Sequence, residues 1–156
     1  MVGVDGSAAS KAALSWALRQ AELSGSSIEV VAAWGLPVYV GDADLWPLDV
    51  DLESLVTRQL ELVLEEVVPA DSTVPLRALV CQAPPAVALI EAAEGAELLV
   101  VGGRGHSELA EMLLGSVSLH CVARAPCPVV VVHSADRPDA ETRTFGPRTG
   151  PGSRPR

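Results

Sequence analysis

Glu97-Leu98-Leu99-Val100-Val101-Gly102-Gly103-Arg104-Gly105 is the stretch that decides how this chain folds: four apolar residues run into three glycines and an arginine. A short apolar run that stops at glycine, with no polar alternation, reads as a strand buried on both faces. The strand is expected over 97–101. Downstream, 113–125 reads as a helix and the valine run 129–132 as another strand. Upstream, the proline pair Pro84-Pro85 opens a short helix over 86–94, since proline is tolerated in a first turn. Before it stand a strand over 74–81 and a helix over 49–68 closed by Pro69. The stripe of that helix is Leu52, Leu55, Val56, Leu60, Val63, Leu64 and Val67. An irregular segment over 35–48, rich in glycine, proline and aspartate, separates it from the β-branched strand 28–34. Further back, the helix 8–23 turns Leu14, Ala17, Leu18 and Ala21 to one face and ends at Gly25. A first strand over 2–5 stops at the turn Gly6-Ser7; only Met1 precedes it, so either the strand is short for a central one or the natural N-terminus has lost a few residues.

The order is therefore βαβαβαβαβ. Helices of this length demand crossovers, and crossovers demand parallel strands. The expected architecture is α/β: a three-layer sandwich, with helices on both faces of a five-stranded parallel sheet. Residues 1–134 form the domain. The segment 135–156 is rich in Pro, Gly, Arg and Thr with almost no apolar side chains, a composition expected to stay disordered.

Composition narrows the function. Of 156 residues, 49% are apolar but only 3% aromatic, so Val, Leu and Ala must build the core. The formal net charge is −9. Residues 135–156 carry five Arg against three acids, so the preceding 134 residues hold −11. A body that acidic repels phosphate backbones, which argues against nucleic acid as a partner. No apolar run approaches the roughly 18 residues that span a bilayer, and no basic segment precedes an apolar one. Neither a membrane span nor a secretory signal is expected, and the location expected is cytoplasmic. Cys81, Cys121 and Cys127 are odd in number and scattered, and they read as reduced, buried thiols.

In open α/β sheets ligands sit beyond the carboxyl ends of the strands. The turn at Asp5, the end of the second strand at Ala33, and the loop Gly102–Gly105 should converge there. Glycines after a buried strand let backbone approach a ligand closely. Ten residues after Gly105 comes Gly115-Ser116-Val117-Ser118, opening a helix whose N-terminus is suited to an anion. Lys11 is the only lysine, so a bound phosphate would rest on backbone N–H groups, a helix end, a metal ion or Arg104. Neither GxxxxGK[ST] nor GxGxxG is present. The same glycines equally suit a tight turn that serves chain geometry alone.

At these residues the sequence resembles the universal stress protein family. Gly102-x2-Gly105-x9-Gly115-Ser116 has the spacing of that family's ATP-binding motif, G-x2-G-x9-G-[ST]. GVDGS at 3–7, LLVVGGRGH at 98–106, LLGSVS at 113–118 and APCPVVVV at 125–132 are similar to family hallmarks. The resemblance covers about residues 1–134. It implies a parallel sheet ordered 3-2-1-4-5 and an ATP site. Gly3, Asp5 and the backbone of Ala33 would border the adenosine. Gly102, Gly105, Gly115, Ser116 and Val117 would hold ribose and phosphates, with Ser118 nearby and Mg²⁺ bridging phosphate oxygens. It also implies a homodimer through the fifth strand, here 128–132. Ser107 stands where a glycine is common, and Glu108 and Glu111 add negative charge to the loop.

Asp5 suits a ribose or a metal-bound water, or a turn carboxylate ahead of the first helix. Arg104 suits a phosphate or a solvated loop position. Trp16 and Trp34 read as core or packing residues, although Trp34 is close enough to the expected adenine to stack on it. His106, His120 and His133 show neither a catalytic arrangement nor metal-ligand spacing, and the acidic stretch 42–53 reads as a solvated helix start. The function expected is a regulatory or stress-response protein that binds ATP rather than turning it over rapidly, and no catalytic residue is assigned. The alternatives are an interaction module with a nonfunctional or cyclic-AMP-binding pocket, and a slow ATPase. A protein partner is not legible.

Overall fold

The computed structural model of the chain describes residues 1–35, 51–105 and 114–134. Its elements are β1 (Val2–Gly3), α1 (Ala8–Ser24), β2 (Ile28–Trp34), α2 (Leu52–Val67), β3 (Leu76–Gln82), α3 (Pro85–Ala92), β4 (Leu99–Gly102), α4 (Ser116–Arg124) and β5 (Val129–Val132). All strand pairs are parallel, in the order β3-β2-β1-β4-β5. The five parallel strands are those that the sequence pattern implies, and their order is the one that the family resemblance implies. The expected irregularity over 35–48, the acidic stretch as far as residue 50, residues 106–113 and the tail 135–156 with its expected disorder lie almost wholly outside the described residues.

Strand side chains alternate between two cores, as a period of two requires. Val2, Val4, Val30, Ala32 and Val100 pack with Leu14, Ala17 and Leu18 of α1 and with Leu60 and Val63 of α2. Val31, Leu99 and Val101 point the other way, toward Leu89 of α3 and Cys121 of α4. Helices thus cover both faces of the sheet. Of the thiols, Cys121 is buried while Cys81 and Cys127 are half-buried, and none is in a disulfide.

Local chemistry sets most boundaries. Ser7 caps α1 by accepting the Ser10 N–H, and Gly25 (φ +70°) closes it by donating to Ala21 O. Asp51 caps α2 through the N–H and hydroxyl of Ser54, and those hydrogen bonds hold its carboxyl below the ordinary value. β3 starts two residues later than its sequence suggests, because Pro75 has no N–H for the ladder; its carbonyl instead accepts from Ile28. The stripe of α2 also needs correction. Leu60 and Val63 are buried, but Leu55 is 58% exposed. One step along a helix is about 100°, enough to turn Leu55 outward while Val56 packs on the core.

Candidate functional site

The carboxyl end of β1 leads into a tightly bonded turn. Oδ1 of Asp5 accepts from the Ser7 N–H at 3.0 Å and from the Ser7 hydroxyl at 2.6 Å. The Asp5 N–H donates to Ser10 Oγ at 3.3 Å. Asp5 does serve the start of α1, but the cap itself is Ser7. Its other oxygen, Oδ2, lies 2.6 Å from where a Cβ on Gly105 would stand. Only glycine lets the loop pass so close to that carboxylate.

Gly102 is constrained more severely. A Cβ there would lie 2.8 Å from the carbonyl carbon of Ala9 and 2.9 Å from the nitrogen of Ser10. Both atoms are α1 backbone and have no room to move aside. The glycine at the end of β4 is what allows the strand to reach the first turn of α1.

The second half of the glycine motif meets the first through two hydrogen bonds. The Gly115 N–H donates to Gly103 O at 2.8 Å, and the Ser118 hydroxyl donates to Gly102 O at 2.6 Å. These bonds are the physical meaning of the nine-residue spacing: whatever path 106–113 takes, its ends are held together. Helix α4 begins at Ser116 rather than at the expected 113, because Gly115 is extended (φ −68°, ψ 159°). Gly115 caps without a side chain, so no side-chain oxygen occupies the leading N–H groups of α4. A helix end in this state attracts negative charge.

Between these segments lies a cleft of about 390 Å³, within the roughly 300–1,000 Å³ of small-molecule sites. Its walls include all ten residues singled out from the sequence: Gly3, Asp5, Ala33, Gly102, Arg104, Gly105, Gly115, Ser116, Val117 and Ser118. Arg104 makes no ion pair among the described residues. Lys11 points away, paired with Glu66 at 2.6 Å. Trp34 does not line the cleft; the last residue of β2 to do so is Ala33.

Sequence reading missed the apolar floor, made by Val31, Leu89 and Val101 together with Pro85 and Ser10. A signal for Leu89 existed in Gly3, since a Cβ at Gly3 would stand 2.8 Å from a Leu89 methyl. His133 packs its ring against Gly103, while His120 contacts the carbonyl of Ser116 on the exposed side of α4. His106, Ser107, Glu108 and Glu111 lie outside the described residues. Among the described residues no group of three His, Cys, Asp or Glu is placed to hold a metal ion, and no helix is long and apolar enough to cross a membrane.

The model of the universal stress protein family matches residues 1–133. The chain belongs to the universal stress protein family. A universal stress protein of Mycobacterium tuberculosis is 34% identical over 143 residues, which are 87% of this chain and 48% of that protein. The chain thus spans about half the length of that curated relative. A universal stress protein of Thermus aquaticus is 34% identical over 138 residues, 85% of this chain and 96% of the relative. Among solved structures, a universal stress protein in complex with cAMP superposes with a TM-score of 0.62 at 28% identity, covering 86% of this chain and 95% of that one.

Proposed function

We propose that this universal stress protein binds an adenine nucleotide, ATP first among them, in the cleft at the carboxyl end of the sheet. The observation that carries the reading is the N-terminus of α4, with no side-chain cap and held by hydrogen bonds against the Gly102–Gly105 loop beside Arg104. Phosphates would meet backbone N–H groups and one guanidinium; the base and ribose would lie toward Val31, Ala33 and Leu89. With no three-ligand cluster among the described residues, Mg²⁺ would be held mainly by phosphate oxygens and water.

The chain acts in this reading as a cytoplasmic regulatory or stress-response protein whose occupancy alters its contacts. It binds the nucleotide without rapid hydrolysis: the single lysine is engaged by Glu66, and the Asp5 carboxylate is engaged by Ser7. A homodimer would form through β5, which among the described residues pairs only with β4 and whose four valines are half-buried. Cyclic AMP is the second reading, favoured by the 28% identical structure solved with it.

Mass spectrometry of ligand released from freshly purified, denatured protein tests the proposal directly. It pairs with melting temperatures measured in ATP–Mg²⁺, AMP and cyclic AMP. At 100 times the dissociation constant, a ligand stabilises the folded state by about 2.7 kcal/mol. A rise with ATP–Mg²⁺ larger than with cyclic AMP supports the first reading, and the reverse order supports the second. No rise with any of them at millimolar concentration, in well-folded protein, overturns both.

A further inference from the structure

One polar contact reaches the cleft from outside its walls. Gln59, on α2, donates from Nε2 to the carbonyl of Asp5 at 3.0 Å, across 54 residues of chain. The side chain is exposed, yet the turn is shaped around it. Gly6 adopts φ +84°, and a Cβ at Gly6 would run into the Gln59 amide. Between α2 and this turn lies a small cavity of about 80 Å³, walled by Val4, Asp5, Gly6, Val56, Gln59 and Leu60 among others. Gln59 reaches from the helix to the turn at that cavity.

Asp5 is therefore gripped at three atoms. Its N–H is held by Ser10 and its Oδ1 by Ser7, both from the start of α1. Its carbonyl is held from α2. The Asp5–Gly6 peptide is where the chain would otherwise swing, because a glycine accepts many φ/ψ combinations. A change of ψ at Asp5 or φ at Gly6 carries the Asp5 carbonyl away from Gln59 and moves Ser7, whose N–H and hydroxyl hold the Asp5 carboxylate beside Gly105.

We propose that Gln59 is a positioning residue of the cleft. It fixes the Asp5 peptide plane and so makes the position of α2 and the occupancy of the cleft depend on each other. Coupling of this kind is reciprocal: a ligand that needs Asp5 in its present place also favours α2 in its present place. The consequence for affinity rests on the nucleotide reading above; the hold on Asp5 does not.

Gln59→Met keeps the length of the side chain over Gly6 and removes its donor, whereas Gln59→Ala removes both. The first measurement is the Asp5 carbonyl ¹³C shift in ligand-free protein, which should move in both variants in the direction of a lost hydrogen bond. The second is ATP–Mg²⁺ affinity by calorimetry. It should fall roughly fivefold in Gln59→Met, the effect of one neutral hydrogen bond, while the melting temperature stays within about 2 °C, as for a surface substitution. An unmoved carbonyl shift overturns the proposal, and so does a moved shift with wild-type affinity. Wild-type protein that binds no adenine nucleotide refutes the proposed function instead, and the carbonyl shift alone then decides the role of Gln59.

Discussion

The two ends of the sheet both carry hollows, and the larger one has the weaker claim to a phosphate ligand. At the amino end of the strands a depression of about 890 Å³ is lined by Trp16, Gln20, Glu29, Glu94 and Glu97 among others. The cleft at the carboxyl end has less than half that volume. The difference lies in what faces the space. The amino end receives the last turn of α1 and the residues after α3, closed by Gly25 and Gly95. Helix C-termini carry partial negative charge, and Glu94 and Glu97 add to it, while Glu29 is paired with Arg77 at 3.7 Å. The carboxyl end receives the N-terminus of α4, the glycine loop and Arg104. A phosphate would meet more negative charge at one end and N–H groups at the other. Volume does not choose between them; the direction of the helices does.

The glycines offer the sharpest way to break this comparison. At the carboxyl end Gly102 is required by close approach, so Gly102→Val should cost about 3 kcal/mol through overpacking against α1 backbone. Gly25 at the amino end has a positive φ with open space around it, so Gly25→Ala should cost about 1 kcal/mol of conformational strain. Urea denaturation measures both, and equal costs would erase the distinction. A smaller effect is expected on binding. Arg104→Ala should weaken ATP–Mg²⁺ roughly tenfold, the low end for a hydrogen bond to a charged group. Glu97→Gln, at the opposite end, should leave affinity within about twofold. Calorimetry at one salt concentration compares the two, and a matched loss from both would mean that overall charge, not the cleft, governs affinity.

The smallest effect concerns α4. Burial pushes the Cys121 thiol up, so between the unfolded and folded values the folded chain holds a proton that the unfolded chain has released. That contribution to stability is present below the ordinary cysteine value, near 8.5, and is lost as pH rises toward and through the folded value. Cys121→Ser should flatten the decline of melting temperature above that pH. An unchanged slope would show that another group causes it.

Much of this was legible beforehand, for identifiable reasons. Strands β2 and β5 keep their expected limits because a β-branched run between glycine, serine or proline has few other ways to bury itself. The far end of α1 was readable from Gly25, whose chemistry acts within four residues, whereas the cap expected at Asp5 is Ser7. Nine of the ten cleft residues were readable because glycine spacing and strand ends are themselves sequence features, whereas Gly3 came from the family resemblance alone. The errors arise where a distant partner decides. Leu55 belongs to the periodic stripe, yet α2 sits so that Leu60 and Val63 fill the available depth. Of the two readings of Trp34, packing stands against stacking: it follows Ala33 by one residue, and along a strand that single step turns the side chain to the other face. Gln59 reads as an ordinary polar position on a helix surface until α2 is placed beside the β1–α1 turn.

By itself the sequence determined the alternation of strand and helix, the parallel sheet and where its glycines stand, because hydrophobic periodicity is a local property. Tertiary structure decided which of those glycines meet. It set Gly102 against α1, Gly105 against Asp5 and Gly115 against Gly103, and turned the N-terminus of α4 into the cleft. These contacts join residues far apart in the chain, and their geometry comes from how the helices pack across two faces of one twisted sheet.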